Sequence, residues 1–341
     1  MKKIPQHIII SRTDSIGDVV LTLPVAKVLK DYFPGIQIAF LGKSYTRPVI
    51  EACSFVDTFI DLNDFNHGNT LVSGHKADTI LHVFPTSSIA KKAKELHIPL
   101  RIGTTNRLYH WFTCNRLIKL SRKNSLLHEA QLNLKLLAAF GIEQEFSLEA
   151  IGQSFGLTRL APLQPEFASL LSKDRYNLIL HTKSQGSARE WGLKNFIQLI
   201  RSLDLHRYRI FISGTEKERA LIAPLFEAVG EMVVDITGKM PLSQFISFIN
   251  QSDGLVANST GPLHIAAALG RDAFGIYPPM RPIHPGRWAP LGASAEVFVL
   301  NKECNDCRKA PEGCHCMSEI SPALIKAALD QKAGAKENLK Y

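Results

Sequence analysis

Two successive series of short apolar runs, each alternating with stretches of helical period, constrain this chain more than any single motif does. In the first half the runs fall at 7–11, 36–42, 56–62 and 78–84, with helical spacing over 18–33, 44–53, 86–97 and 125–140. The rhythm restarts at 176–182 and continues through 208–214, 231–237, 254–258 and 273–279. Helices fit there at 191–203, 216–226, 241–250 and 261–269. Strands that alternate with helices predict parallel sheets with right-handed crossovers. Between the series, "TRLAPLQPEFASLLSKDR" (158–175) carries two prolines and loses the rhythm. The reading is therefore an α/β domain over 1–160, a linker over 161–175, a second α/β domain over 176–320, and a terminal helix and tail over 321–341. Ser321 and Pro322 suit the cap and first position of that helix, and its polar end is expected to fray. Two open α/β domains in series predict a ligand cleft at the carboxyl ends of their strands.

The 341 residues exceed what one small core holds, and 45% apolar with 21% charged residues describes a soluble globular chain. The net charge of +9 is uneven: residues 1–165 hold 19 Lys/Arg against 13 Asp/Glu, and residues 166–341 hold 21 against 18. A basic N-terminal half points to an anionic partner such as a phosphate, a nucleic acid or a membrane surface, or to a merely basic surface. The N-terminal apolar run is too short for a signal peptide, and no stretch approaches the length of a bilayer span. A cytoplasmic protein with at most peripheral membrane contact is expected.

Five stretches could carry chemistry. "SRTDSIGDVVLTLP" (11–24) leaves a strand through a Gly turn into a helix, and it lacks both the dinucleotide and the P-loop fingerprint. Asp18 falls in the first helical turn, where it either caps the helix or serves as a general base at the strand's end. Pro24 predicts a kink. "HTKSQGSAREWGLKNF" (181–196) offers Thr182, Ser184 and Ser187 as hydroxyl donors and Lys183 or Arg189 as cations for phosphate oxygens, or is a solvated loop. "ANSTGPLHIAAALG" (257–270) opens an Ala-rich helix with Pro262 at its start and Ser259 or Thr260 as cap, aiming a positive helix end at an anion. His264 lies one turn in, as a core residue or beside the anion.

Residues 91–124 hold nine Lys/Arg and one Glu, with Tyr109, Trp111 and Phe112 interleaved. This pattern occurs in nucleic-acid binders, but no such module surrounds it, and an anionic acceptor or lipid surface explains the charge equally. Four of six cysteines lie within "CNDCRKAPEGCHC" (304–316). Cys304, Cys307, Cys314 and Cys316 either hold a structural Zn²⁺ or form a loop of reduced thiols.

Taken in order, these motifs resemble the family 9 glycosyltransferases, the heptosyltransferases of lipopolysaccharide core assembly. The resemblance rests on "RTDSIGDVVLTLP", "RIGTTNR", "HEAQLNLKLLAAFGI", "REWGLKNF", "ISGTEKE", "NSTGPLHIAAALG" with "GIYPP", and the ending "CMSEISPALIKAAL". It implies a GT-B fold: two Rossmann-like domains whose parallel sheets face a central cleft. The N-terminal domain would take an anionic glycolipid acceptor through Ser15, Gly17, Arg101 and Arg107. The C-terminal domain would bind an ADP-sugar, typically ADP-heptose, through Thr182, Lys183, Ser184, Arg189, Ser259, Thr260, Gly261 and His264. Glu216 or Glu218 would meet the ribose.

Transfer would be inverting, with Asp18 as base and no catalytic metal or other cofactor, at the cytoplasmic face of the inner membrane; nucleic acid is not an expected partner. Two departures from the family pattern stand out. Arg189 replaces the usual Lys before the Trp, and Ser259 replaces the usual Asp, which leaves the donor sugar open. A nucleotide-sugar or glycan binder without transfer activity, a transferase with another donor, and an epimerase are the competing readings.

Overall fold

Ile8, Ile9 and Ile10 are fully buried in succession, the signature of a strand covered on both faces. In the computed structural model, which describes residues 5–123, 125–302 and 315–338, they form β1 (His7–Ser11). The chain divides into two compact units, Met1–Leu160 and Ala161–Tyr341. The first contains β1, β2 (Gln37–Gly42), β3 (Thr58–Asp61), β4 (Leu71–Val72), β5 (His75–Lys76), β6 (Thr79–His82), β7 (Leu100–Thr104) and β8 (Arg116–Ile118). The second contains β9 (Tyr176–His181), β10 (Tyr208–Ser213), β11 (Val234–Asp235), β12 (Gly254–Asn258), β13 (Asp272–Ile276) and β14 (Ala295–Phe298).

Each unit has one six-stranded sheet, ordered β3-β2-β1-β6-β7-β8 and β11-β10-β9-β12-β13-β14, and every pairing within them is parallel. β4 and β5 stand apart as an antiparallel hairpin whose two loop residues, Ser73 and Gly74, both have positive φ. Strand order reverses between β1 and β6 in the first sheet and between β9 and β12 in the second. At such reversals the crossovers leave in opposite directions, so the carboxyl ends of the two strands open a crevice.

Several elements differ from the sequence reading for local reasons. The helix read over 18–33 is two helices, α1 (Ile16–Val20) and α2 (Leu23–Tyr32), because Pro24 has no N–H to continue the ladder and sits in the first turn of α2. The stretch 125–140 becomes a helix Glu129–Leu134 followed by a 3-10 segment Lys135–Phe140, ended by Gly141 at φ 87°. The basic stretch 91–124 conceals β7 and β8, which lack a simple apolar alternation. The segment read as a linker contains the helix Pro165–Ala168 and packs on its own unit: Gln164 N–H donates to Gln244 Oε1 at 2.9 Å, and Ser247 Oγ donates to the Ala161 carbonyl at 2.6 Å.

The helix Pro322–Asn338 belongs to the core of the second unit, where Ile325, Leu329 and Ala333 are buried beside Trp191, Phe196 and Tyr208. Tyr208 Oη donates to Asp330 there at 2.8 Å. Among the described residues, no helix is long and apolar enough to cross a membrane.

Candidate active site

Directly after β1 the chain buries an arginine. Arg12 is 3% exposed, and its N–H donates to the Leu41 carbonyl on β2. Its guanidinium serves three carboxylates: Nε to Asp14 Oδ1 at 2.7 Å, one terminal nitrogen to Asp18, the other to Glu129 Oε1 at 3.0 Å. Ser15 Oγ donates to the second oxygen of Asp18 at 2.5 Å, so both oxygens of that carboxylate are held. Thr22 Oγ1 fastens the Asp18 carbonyl at 2.8 Å. Asp18 thus does more than offset a helix dipole. Its side chain keeps 16% exposure and that of Asp14 keeps 22%, against 1% for Glu129. Two carboxylates therefore face the mouth at the sheet reversal, and the third braces it from inside.

The brace comes from far along the chain. Glu129 opens the helix Glu129–Leu134, whose cap His128 accepts the Ala130 N–H and whose Gln131 returns a bond to the His128 N–H. A carboxylate in that first turn is favoured by the helix dipole. Arg122 Nε also donates to Glu129, at 3.1 Å, and Asn133 links Arg122 to the Leu21 carbonyl between α1 and α2.

Two guanidiniums thus face three carboxylates, and burial and charge together set the protonation behaviour. Burial pushes Asp14 up to about 6, and repulsion from Asp18 adds to it against the pull of Arg12. Burial works against the charge of Arg12, but Asp18, Asp14 and Glu129 outweigh it and hold the proton more firmly. The phenol of Tyr45 is also raised, by burial and by the two aspartates, and its Oη donates to the Asp14 carbonyl. Behind the mouth, His82 ends β6 fully buried, with no hydrogen-bond partner among the described residues; burial, then His110 and Arg101, pull it down to about 3.

The second unit builds its mouth at the ends of β9 and β12. Asn258 joins the two: its amide donates to the Thr182 carbonyl at 3.2 Å, and its Oδ1 accepts the Trp191 N–H at 2.9 Å. Trp191 is buried and donates Nε1 to the Ile320 carbonyl, which fixes the far end of the 182–191 loop. Thr260 caps the helix Gly261–Ala268 with its backbone alone, and Pro262 stands in the first turn. Gly275 lets that helix approach β13, since a Cβ there would lie 2.9 Å from Leu263 and 2.6 Å from Tyr277. The hydroxyls of Thr182 and Thr260 are both buried without a hydrogen-bond partner among the described residues. A helix N-terminus with such hydroxyls beside it suits an anion's oxygens.

The structure redistributes several of the residues read as ligands. Ser184 is used inside the loop: its N–H donates to Glu190 Oε1, and its hydroxyl lies 3.0 Å from both Glu190 and the Ala188 carbonyl. Ser187 Oγ donates to the Ser184 carbonyl. Lys183 is ion-paired with Glu190. These groups shape the loop, whose tip takes left-handed backbone at Gln185 and Gly186. Arg189 stands half-buried on the same loop and His264 is buried one turn into the helix. Ser259 stands half-buried at the helix mouth near the Tyr277 phenol, which donates to the Trp288 carbonyl at 2.5 Å.

Glu218 is the capping-box partner of Thr215, accepting its N–H at 2.8 Å and its Oγ1 at 2.9 Å, while Glu216 is exposed, pairs with Arg219 and leans over Gly238. In the first unit, Arg101 is a brace and not a free cation: it donates to the Thr113 and Ile98 carbonyls. Arg107 is exposed, and Gly17 is buried in α1 with its carbonyl taking the Leu21 N–H. Cys304, Cys307 and Cys314 lie outside the described residues, and Cys316 is buried.

Arg12, Asp14, Glu129, Arg122, Glu190 and Asn258 carry no role in the sequence reading. The available signal was a charge on an apolar face: Glu129 shares a helical stripe with Leu132 and Leu136, all buried.

The two parallel six-stranded sheets match solved structures along almost their whole length. The structure of the Escherichia coli ADP-heptose lipopolysaccharide heptosyltransferase II aligns with a TM-score of 0.78 at 18% identity, covering 97% of this chain and 99% of that one. An Escherichia coli heptosyltransferase with ADP aligns at 0.72 and 18% identity, covering 96% and 100%. The fold is that of the GT-B glycosyltransferases. Among curated proteins, a putative glycosyltransferase of Haemophilus influenzae is 25% identical over 301 residues, 84% of this chain and 86% of its own. Lipopolysaccharide heptosyltransferase 2 of Escherichia coli is 26% identical over 152 residues, 42% of this chain and 43% of its own. The model of glycosyltransferase family 9 (heptosyltransferase) matches residues 93–317, and the chain belongs to that family.

Proposed function

We propose that this glycosyltransferase moves a heptose-type sugar from an ADP-sugar to a saccharide of a lipopolysaccharide core or lipid A-like acceptor, with inversion, and that Asp18 is its general base. The observation that carries the reading is the Asp18 carboxylate itself. It stands at the reversal of the first sheet, held on one oxygen by buried Arg12 and on the other by Ser15, and it remains partly open to solvent. An acceptor hydroxyl that displaces Ser15 from Asp18 gives up its proton there as its oxygen bonds to the anomeric carbon of the donor. The bond from that carbon to the diphosphate breaks, and its electron pair leaves with ADP.

The departing charge falls to the N-terminus of Gly261–Ala268, the Thr182 and Thr260 hydroxyls and the guanidinium of Arg189. No step is assigned to a metal. Support for the donor and acceptor comes from the family and from the relatives named above. Such an acceptor implies work at the cytoplasmic face of the inner membrane. A second reading, another donor sugar, is favoured by Ser259, a hydroxyl where the family usually has a carboxylate.

Asp18→Asn and Asp18→Ala test the base. Transfer is expected to fall by about 10²–10⁴-fold while ADP binding by calorimetry stays unchanged. Full turnover by Asp18→Ala with a verified acceptor removes Asp18 from the role. Thermal shifts with ADP-, UDP- and GDP-sugars decide the donor, because ligand binding to the native state raises the melting temperature.

A further inference from the structure

The segment from Arg107 to Thr113 has its polarity inside out. Backbone bonds from His110, Trp111 and Phe112 to the carbonyls of Arg107, Leu108 and Tyr109 make it one helical ribbon. Leu108, Trp111 and Phe112 therefore share a side at spacing i, i+3, i+4. They are 76%, 58% and 69% exposed, whereas His110 and Thr113 on the other side are buried. Large apolar side chains ordinarily occupy the buried side of such a ribbon.

The platform beneath them is firmly tied. Trp111 Nε1 donates to the Thr105 carbonyl at 3.0 Å, the Thr104 N–H to His110 Nδ1 at 2.9 Å, and Arg101 Nε to the Thr113 carbonyl at 2.7 Å. Lys94 Nζ, from the helix Ser87–Glu95, donates to the Phe112 carbonyl at 2.9 Å. Lys94 thereby sits beside the apolar side chains, with exposed Lys91 one turn earlier on its helix and exposed Arg107 at the start of the ribbon. The one carboxylate of this helix, Glu95, pairs with Lys92 at 3.8 Å.

An apolar knob ringed by cations matches the headgroup layer of an anionic bilayer, where a Trp ring settles at the interface and Lys and Arg meet lipid phosphates. A second copy of this chain would bring cations against cations. We propose that Leu108, Trp111 and Phe112, with Lys91, Lys94 and Arg107 around them, are a membrane-interface anchor for anionic phospholipid. The inference extends the glycolipid-acceptor reading and gives it a place on the surface.

The test uses the full chain with vesicles of phosphatidylethanolamine containing about one quarter phosphatidylglycerol, and with phosphatidylcholine vesicles as the neutral comparison. Co-sedimentation and quenching of tryptophan fluorescence by brominated acyl chains are the readouts, without donor or acceptor. Wild type is expected to bind the anionic vesicles. The variant Leu108→Ser/Trp111→Ser/Phe112→Ser should bind at least about tenfold more weakly and lose the quenching. Lys91→Gln/Lys94→Gln should weaken binding several-fold at low salt and less at high salt.

Unchanged melting temperature and full transfer to a water-soluble acceptor fragment show that the triple variant remains folded and competent. Equal vesicle binding by wild type and the triple variant overturns the proposal. So does a dimer that the triple variant abolishes, or release from vesicles by an oligonucleotide. Anchor-dependent binding by an enzyme that glycosylates no lipid-linked acceptor overturns the acceptor reading alone; transfer to such an acceptor without anchor-dependent binding overturns the anchor alone.

Discussion

Replacing Asp14 by Asn tests whether the two aspartates on Arg12 work as a unit. In the folded chain Asp14 titrates at about 6 against an ordinary 3.8. At about 1.4 kcal/mol per unit, that difference is worth about 3 kcal/mol at neutral pH. Burial is the largest cause, the charge of Arg12 pulls against it, and repulsion from Asp18 adds to the rise. As pH rises through 6, Asp14 ionises and a second negative charge falls on the guanidinium that also holds Asp18. Wild-type kcat should therefore step up with an apparent pKa near 6. Asp14→Asn should lose that step and run several-fold slower above pH 7.

Stability supplies an independent readout. A carboxyl whose folded pKa is raised binds its proton more tightly in the native state, so its contribution is full below about pH 4 and is lost as pH rises through 6. The stability of wild type relative to Asp14→Asn, from urea melts, should fall by up to about 3 kcal/mol between pH 4 and 7. A variant that keeps the step near pH 6 at full rate, or a stability difference flat across that range, would refute the shared-charge account.

Three further outcomes follow from single residues. Glu129→Ala strands the buried charge of Arg12 against its brace and should cost about 3–5 kcal/mol in urea unfolding, with Glu129→Gln costing less because it still accepts hydrogen bonds. His82 is pulled down to about 3, so it must stay neutral in the fold; its stability contribution is present above about pH 6.5 and drains away as pH falls toward 3. His82→Leu should remove that loss and gain about 2 kcal/mol relative to wild type at pH 5, read by thermal melts at pH 5 and 7.5. Trp191→Ala opens a cavity where the loop 182–191 meets the terminal helix and should cost about 3–5 kcal/mol, together with weaker ADP binding by calorimetry.

The alternation of apolar runs and helical spacing was sufficient to predict two parallel α/β units, because a parallel strand must be buried on both faces and must be followed by a crossover. Gly17-Asp18 and Thr260-Gly261 were legible for the same local reason: a turn after a strand, then a helix start, is written in consecutive residues. The strands β7, β8 and β14 were not, since Arg101, Arg116 and Glu296 interrupt their short apolar runs, whereas the edge strands β3 and β11 lie within runs that stand out. The loop hydroxyl of Ser184 and the cation of Lys183 read as free ligands in a string of polar residues, until the folded loop spent them on Glu190 and the Ala188 carbonyl.

Asp14 gained most from the fold. The family resemblance singles out Asp18 alone, whereas the fold sets both aspartates on one guanidinium. That guanidinium is held by Glu129, 117 positions away, and an ion pair across that distance has no periodicity to announce it. Local sequence determined which segments become strands, turns and helix starts, because those depend on neighbours within a few residues. Which charges meet was decided by the packing of the helix Glu129–Leu134 beside the end of β1, because electrostatic coupling depends on distance in space and on exclusion of water.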